Sequence, residues 1–119
     1  MKKVINTGST AGPYSPAIAT TATKMIFISG QIANDLDGDI ITQTNQILRK
    51  IEKLLEDAGG FMSDIVKTTI YLQNIEDFSK VNEEYAKFFP SDPPTRATLQ
   101  AAALPLGAGL MIEAIAVRT

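Results

Sequence analysis

The apolar residues of the chain follow two spacings, and each spacing predicts a different kind of element. Between about Thr42 and Ala58, apolar side chains recur every three to four residues, which predicts an amphipathic helix that ends at Gly59-Gly60. The same spacing returns between about Glu76 and Phe89, just before a group of prolines, and predicts a second helix. Two helices therefore interrupt a series of strand-like segments.

Four segments carry strand patterns, and the last of them is the most apolar. They are 24–29, with a continuation through 31–33 beyond a bend or bulge at Gly30, then 64–73, 97–103 and 109–117. The alternation in 64–73 predicts a half-buried strand, whereas the near-continuous apolar run of 109–117 is typical of a strand covered on both faces. Residues 3–23 are rich in Thr, Ser, Gly, Ala and Pro, and we expect irregular structure there.

This order of elements predicts an α+β fold, with one mixed sheet and two helices packed on one of its faces. A length of 119 residues and a mass of 12.8 kDa suit a single domain that spans residues 1–119. Two helices leave the other sheet face open, yet the last strand has few polar residues on either face. We therefore expect copies of the chain to associate through the open sheet face.

The absence of histidine and cysteine narrows the chemistry more than any other feature of the composition. Without cysteine the chain has no disulfide, no thiolate nucleophile and no thiolate metal ligand. Without histidine, a Ser-His-Asp triad, histidine-dependent RNA cleavage and most zinc chemistry are excluded. We expect a site without a metal, built from carboxylates, Arg, Lys, Tyr, hydroxyls, backbone groups or bound water.

Charge and hydropathy argue against two classes of partner. The 11 Lys+Arg and 13 Asp+Glu give a net charge of -2, which provides no broad basic field for nucleic acid. No apolar run approaches the roughly 18 residues of a membrane-spanning helix, and the start at Met1-Lys2-Lys3 lacks the apolar core of a signal peptide. We expect a cytoplasmic protein that works on neither a membrane nor nucleic acid.

Arg96 follows Pro93-Pro94-Thr95, where a rigid turn fixes its backbone at the start of a strand. An Arg guanidinium binds a planar carboxylate with two parallel hydrogen bonds, so Arg96 is a candidate anchor for a small anionic ligand. The alternative is a surface residue or a structural salt bridge. Tyr14, held between Pro13 and Pro16, is either a ligand contact or an anchor that packs the loop on the domain.

Two other places could serve either a ligand or the fold. Ser29-Gly30 closes the first long strand and offers a hydroxyl and a closely approachable backbone, although Gly30 could simply allow a bulge. Asn82 lies near the apolar face of the second helix, where it could donate to a ligand or tie down a loop. Structural duty is the simpler interpretation of Asn82.

Glu113 interrupts the apolar C-terminal run, and burial of an unpaired carboxylate there would be costly. It should therefore be paired, protonated or facing a ligand, and the simplest arrangement is a buried pair with Lys67 or Arg96. Strand alternation places Met111 on the same face as Glu113.

Taken together in order along the chain, these motifs resemble the RidA/YjgF family of reactive intermediate deaminases, also labelled endoribonuclease L-PSP or translation inhibitor proteins. Each motif is short, but the ordered set is specific and covers nearly the whole chain. The motifs are Gly12-Pro13-Tyr14-Ser15, Ile28-Ser29-Gly30-Gln31-Ile32, Asp64 to Thr69, Asp77-Phe78, Val81 to Tyr85, Pro94-Thr95-Arg96-Ala97, Leu104-Pro105 and Ile112 to Val117.

The resemblance implies a chorismate-mutase-like α+β fold and a homotrimer with ligand clefts between subunits. It implies that Arg96 grips the carboxylate of the substrate and that Tyr14, Ser29, Gly30 and Asn82 line the cleft. The reaction of the family is hydrolysis of enamine or imine intermediates, such as 2-aminoacrylate, to a 2-keto acid and ammonia, without a cofactor.

The chain departs from the family pattern at two positions. The glutamate thought to activate water in the deaminases falls at Met111, and a thioether cannot accept a proton. Glu113 matches the second carboxylate of the family, one same-face position and roughly 6 to 7 Å further along the strand, which is too far to replace the missing glutamate without rearrangement. Thr98 stands where many relatives carry cysteine and is a candidate lining residue.

These departures leave three functions open. The first is a 2-iminobutanoate/2-iminopropanoate deaminase whose activity is weakened by Met111 or carried by water on backbone groups. The second is a non-catalytic trimer that binds small carboxylates or 2-keto acids. The third is an endoribonuclease or translation inhibitor, and the net negative charge and the absence of histidine make it the least attractive.

Overall fold

The chain folds into a four-stranded mixed sheet with two helices on one face, together with a separate two-stranded ribbon. The computed structural model describes residues 2–5 and 12–119. The strands are β1 (Lys3–Ile5), β2 (Ala17–Ala19), β3 (Lys24–Gln31), β4 (Ile65–Leu72), β5 (Thr95–Gln100) and β6 (Leu110–Arg118), and the helices are α1 (Ile40–Asp57) and α2 (Phe78–Ala86). This arrangement confirms the predicted α+β class.

The sheet has the order β3-β6-β4-β5, so the apolar C-terminal strand lies inside it. Strand β6 runs antiparallel to both of its neighbours, whereas β4 and β5 are parallel. The register shift in β3 between Ile28 and Gln31 confirms the bulge predicted at Gly30.

The N-terminal segment is more regular than its composition suggests. Strands β1 and β2 pair antiparallel, with Val4 opposite Ile18, so the prediction of irregular structure was wrong for these short stretches. Their β-branched residues supply the strand preference that the surrounding Thr, Gly and Pro obscure. The rest of that prediction falls partly on residues 6–11, which lie outside the described residues.

Both helices were predicted, but local capping and packing set their ends. Asp39 accepts a hydrogen bond from the backbone N–H of Thr42, so α1 begins at Ile40. Gly59, with a φ of 81°, lies just beyond its C-terminal end. Helix α2 is shorter than predicted, because a separate 3₁₀ turn at Ile75–Asp77 precedes it and the helix ends at Ala86.

Strand β5 was predicted at 97–103 but runs from Thr95 to Gln100. Its bounds follow its parallel partner, since Lys67 pairs with Thr95 at one end and Leu72 with Gln100 at the other. The Thr95 hydroxyl also donates to the carbonyl of Val66, which fastens the start of the strand. Pairing with β4 therefore places Arg96 inside the strand.

The core lies between the helices and one sheet face. Strand β6 alternates as predicted, with the set Leu110, Ile112, Ala114 and Ala116 buried toward the helices. On the opposite face, which we call the open face, Phe27 is 68% exposed and Met25 is 54% exposed. The described helices thus cover only one face of β6. None of the described helices is long and apolar enough to cross a membrane.

Candidate functional site

The loop before β2 is fastened to the start of β5, and this brings Tyr14 to Arg96. The backbone N–H of Ser15 donates to the carbonyl of Pro94 at 3.0 Å, and the Ser15 hydroxyl donates to the carbonyl of Pro93. Ser15 is buried, so these bonds are shielded from water. The two proline-containing loops therefore form one wall beside the Arg96 side chain.

The Arg96 guanidinium is surrounded by three aromatic rings. Its carbon lies 5.1 Å from the ring centre of Tyr14, 5.2 Å from that of Tyr85 and 5.5 Å from that of Phe78. These distances are within the range of cation–π attraction. Burial lowers the pKa of Arg96, and the two tyrosines oppose this shift, but a guanidinium stays protonated in proteins. The pocket therefore holds a fixed positive charge.

Within the described residues, three polar side-chain atoms on this side of the sheet are buried without a hydrogen-bond partner. They are one terminal nitrogen of Arg96 (NH1), the amide oxygen Oδ1 of Asn82 and the hydroxyl of Thr98. Each such atom costs about 1–3 kcal/mol while it stays unpaired. Among the residues that the structure describes, no carboxylate forms an ion pair with Arg96. A ligand that supplies these partners would remove the penalty.

Gly12 keeps space open beside the guanidinium. A methyl group on Gly12 would lie 3.2 Å from Arg96 NH2, 3.4 Å from the amide nitrogen of Asn82 and 3.7 Å from the ring of Tyr14. The space beside Gly12 is thus bordered by the side chains of Arg96, Asn82 and Tyr14. We call this group the Arg96 pocket, and its members are Gly12, Tyr14, Phe78, Asn82, Tyr85 and Arg96. Thr98 is counted with them because it lies two residues from Arg96 in β5, on the same face of the strand.

Tyr85 ties the Arg96 pocket to the sheet. Its hydroxyl shares a hydrogen bond of 2.8 Å with the hydroxyl of Thr68, and both residues are buried. Burial raises the pKa of Tyr85 to about 12, so its phenol stays neutral at physiological pH. Tyr85 therefore acts as a fixed wall and not as an acid or base.

A second group of polar residues lies in a cavity of about 280 Å³ on the open face. We call it the open-face cavity, and its lining residues are Phe27, Ile28, Ser29, Lys67, Thr69, Glu113, Ala114 and Ile115. The Lys67 ammonium donates to the hydroxyl of Thr69 at 3.1 Å. The cavity therefore combines a cation, a carboxylate and hydroxyl groups with an apolar wall.

The partner predicted for Glu113 was wrong. Its carboxylate accepts a hydrogen bond of 2.9 Å from the Tyr71 hydroxyl, and within the described part of the chain no ion pair joins it to Lys67 or Arg96. Tyr71 comes within reach because it lies on the same face of β4 and pairs with Met111, one same-face position from Glu113. The hydrogen bond raises the pKa of Tyr71, and burial adds to the shift.

Met111 packs against the backbone of Gly30. A methyl group on Gly30 would come within 2.5 Å of the Met111 sulfur, so the thioether occupies the space that a side chain would need. Met111 is not among the residues that line the open-face cavity. At this position the chain presents an apolar contact.

The predicted site residues therefore fall into two sets on opposite sheet faces. Tyr14, Asn82, Arg96 and Thr98 lie in the Arg96 pocket, whereas Ser29, Gly30, Met111 and Glu113 lie on the open face. The registers establish this, since Thr68 pairs with Arg96 while the adjacent Thr69 pairs with Glu113, and adjacent strand residues point to opposite faces.

Sequence reasoning assigned no site role to four of the residues that shape these two places, namely Gly12, Tyr71, Phe78 and Tyr85, although all but Tyr71 stand in the quoted motifs. Phe78, Asn82 and Tyr85 follow the i, i+4, i+7 spacing of one helix face, so a search for aromatic residues on the face of Asn82 would have found two of them. Tyr71 had no such pattern, because its contact with Glu113 depends on strand register.

Comparisons with known proteins identify the protein family of the chain. Residues 5–118 match the family model described as endoribonuclease L-PSP. The 2-iminobutanoate/2-iminopropanoate deaminase of Homo sapiens is 39% identical, with 99% of this chain and 91% of the relative covered. The chloroplastic Reactive Intermediate Deaminase A of Arabidopsis thaliana is 40% identical, with 97% of this chain and 65% of the relative covered.

The backbone agrees with these matches. The crystal structure of YyfA, a protein of unknown function of the conserved Rid protein family from Yersinia pestis, has a TM-score of 0.75 and 41% sequence identity. The match covers 99% of this chain and 100% of that one. Sequence, backbone and ordered motifs thus agree, and the chain belongs to the endoribonuclease L-PSP family, which includes the RidA/YjgF proteins.

Proposed function

We propose that this protein is an imine deaminase, which hydrolyses small 2-imino acids to 2-keto acids and ammonia without a cofactor. Relatives at about 40% identity carry the names of such enzymes. The observation that carries the proposal is the Arg96 guanidinium, which is enclosed by three rings and, within the described part of the chain, has one terminal nitrogen buried without a hydrogen-bond partner. A substrate carboxylate supplies the missing charge and hydrogen bonds.

The proposed working unit is a homotrimer in which the Arg96 pocket of one copy meets the open face of its neighbour. Phe27, Met25 and Leu99 are 68%, 54% and 44% exposed on the open face, and an apolar patch of this kind is typical of an interface. The number of subunits comes from the family resemblance. Because the two sets of candidate residues lie on opposite sheet faces, only assembly can bring them to one ligand.

In the proposed complex, Arg96 and the Thr98 hydroxyl hold the carboxylate, and Oδ1 of Asn82 accepts the N–H of the imine. The planar substrate is then fixed with its electrophilic carbon toward the neighbouring open face. Fixed geometry of this kind contributes several kcal/mol to catalysis, up to about 7–11 in well-oriented cases. The chemical step itself needs only water and a group that moves a proton.

Ammonia release from 2-aminoacrylate generated in situ tests the proposal. We expect the protein to accelerate release over buffer, and Arg96→Gln to remove nearly all of the acceleration. Arg49→Gln is a matched control, because Arg49 also lies over an aromatic ring, at 5.2 Å from that of Phe88, but is exposed and paired with Glu52. No acceleration by the unaltered protein would contradict the proposal.

Binding without catalysis is the second candidate function, and Met111 is the observation that favours it. A thioether against Gly30 offers no proton acceptor where the deaminase subgroup has a carboxylate. Calorimetric titration with 2-ketobutyrate, run beside the ammonia assay, separates the two functions. Binding that depends on Arg96, without any turnover, would select the binding protein.

A further inference from the structure

We propose that Glu113, positioned by Tyr71, is the carboxylate that moves protons in this protein. The inference rests on the proposed deaminase function and assigns the water-activating role to a residue other than Met111. Glu113 lies roughly 6 to 7 Å along the strand from Met111, so it does not replace the missing glutamate in place. The inference instead moves the attacking water to the open-face cavity, which Glu113 lines and Met111 does not.

Met111 is unsuited to the role both by chemistry and by placement. Its thioether has no proton to exchange and accepts hydrogen bonds weakly. Its side chain is packed over the backbone of Gly30, where a methyl group would come within 2.9 Å of Met111 Cγ. A water held at Met111 would therefore have no base beside it.

Glu113 is placed where a water can be held. It lies one same-face position from Met111 on β6 and is only half-buried. It lines the open-face cavity together with Ser29 and Thr69. A cavity of about 280 Å³ exceeds the share of liquid volume of one water, about 30 Å³, several times over. The cavity thus has room for ordered water and for the reacting end of a small ligand.

Tyr71 fixes the orientation of the Glu113 carboxylate. The phenol donates to Oε1 at 2.9 Å, and within the described residues Oε2 has no protein partner. Since the pKa of Tyr71 is raised by this bond, the phenol remains a donor throughout the physiological pH range. One oxygen is therefore anchored while the other is left for a water molecule.

Lys67 balances the charge of this arrangement. Its ammonium lines the same cavity as Glu113 and is held by the hydroxyl of Thr69 at 3.1 Å. A cation that shares a partly enclosed cavity with a carboxylate offsets its negative charge without forming a direct pair. Within the described residues Glu113 therefore has a cation in its cavity but no direct ion pair.

Glu113 alone can carry every proton transfer of the hydrolysis. Water attacks the imine carbon, the C=N π electrons move to nitrogen, and Glu113 takes a proton from the water and passes it to that nitrogen. In the resulting carbinolamine, Glu113 takes the hydroxyl proton and returns it to nitrogen. The C–N bond then breaks, its electron pair leaves with nitrogen as ammonia, and the keto acid remains.

The test measures ammonia release from in-situ 2-aminoacrylate by Glu113→Gln and Tyr71→Phe, with Arg96 intact. We expect kcat of Glu113→Gln to fall by about 100-fold or more, as for loss of a general base. Tyr71→Phe should lower kcat several-fold with an unchanged KM, since the phenol positions the base and does not touch the substrate. Glu76→Gln, an exposed carboxylate outside the site, is the matched control.

Two further measurements exclude a mere loss of structure. Glu113→Gln should keep its thermal midpoint and its affinity for 2-ketobutyrate, and adding Met111→Glu to it should restore a large part of kcat. Full activity of Glu113→Gln beside an inactive Arg96→Gln would overturn the inference and leave the deaminase proposal standing. Absence of activity in the unaltered protein would overturn both.

Discussion

The Arg96 pocket and the open-face cavity are both polar sites beside aromatic residues, but they are built in opposite ways. The Arg96 pocket is closed by three rings of the same chain, and its cation has no carboxylate partner among residues 2–5 and 12–119. The open-face cavity has charges of both signs and lies on a face that exposes Phe27. We therefore expect an anion to bind at a site formed within one chain, whereas the proposed chemistry needs a second copy.

The difference has a physical origin in the sheet. Residues that face the helices are enclosed by α1 and α2, so a charge there is fixed by packing. No described helix covers the residues of the open face, and their polar groups are held by cross-strand hydrogen bonds such as that from Tyr71 to Glu113. We expect the first site to be rigid in the free chain and the second to be completed by the proposed association.

Phe27→Asp should have the largest effect on the contrast between the two sites. It should prevent a second copy from assembling on the open face. A charge placed at the centre of an apolar interface costs several kcal/mol per subunit, and assembly should be lost. Light scattering should give about three times the 12.8 kDa chain mass for the unaltered protein and a single chain for the variant. The variant should keep its far-UV circular dichroism, since Phe27 is 68% exposed in the chain. A variant of unchanged mass would contradict the proposed interface.

Gly12→Ala should close the Arg96 pocket without disturbing the open face. The added methyl would lie 3.2 Å from Arg96 NH2, in the space assigned to the ligand, so affinity for 2-ketobutyrate should fall by about tenfold or more, roughly 1.4 kcal/mol. Calorimetric titration measures it. Gly38→Ala is the control, since its methyl would meet Thr42 at the same 3.2 Å but far from the pocket. Unchanged affinity would place the ligand elsewhere.

The two proposed polar contacts of the Arg96 pocket can be separated with a pair of isosteric probes. Pyrrole-2-carboxylate carries an N–H beside its carboxylate, as an imino acid does, whereas furan-2-carboxylate carries an oxygen. We expect about a five- to tenfold preference for the pyrrole, the worth of one hydrogen bond to Oδ1 of Asn82. Asn82→Leu should remove this preference. Tighter binding of the furan would mean that the amide presents its nitrogen to the ligand.

Glu84→Gln should have the smallest effect. It tests the hydrogen bond between α1 and α2, the helix that carries Asn82 and Tyr85 of the Arg96 pocket. This buried carboxylate on α2 accepts hydrogen bonds from Asn45 of α1 and from Lys87, which lower its pKa. A lowered folded-state pKa stabilises the fold above the unfolded value, near 4.3 for Glu, and this contribution is lost as pH falls through the folded value. Glu84→Gln should cost about 1 kcal/mol at pH 7 and progressively less in acid, measured by urea unfolding. A difference independent of pH would contradict this origin.

Much of the fold followed from the sequence, because helical spacing, alternation and the stops at Gly59 and Pro90 are local signals. The bounds of β5 could not be predicted from the sequence, since they are set by pairing with β4. The ribbon of β1 and β2 was also missed, because strands of three residues give too short a pattern to separate from a loop.

The candidate site, like the fold, was predictable from the sequence only in part. Arg96, Tyr14 and Asn82 could be named from their motifs, and the structure brings them together around Gly12. The partner of Glu113 could not be named from the sequence, because a contact between β4 and β6 depends on a strand register that no local pattern encodes. The separation of the candidates onto two sheet faces likewise required the strand order.

The central claim is that Arg96 of one copy and the open face of its neighbour form one site, and subunit mixing tests it most directly. Arg96→Gln and Glu113→Gln, each inactive alone, are unfolded together and refolded at equal amounts. Random trimers then contain intact clefts at about a quarter of their interfaces, because each cleft needs one particular variant on each side. We predict recovery of about a quarter of the ammonia-release rate of the unaltered protein. A refolded mixture of trimers as inactive as its components would contradict the shared site.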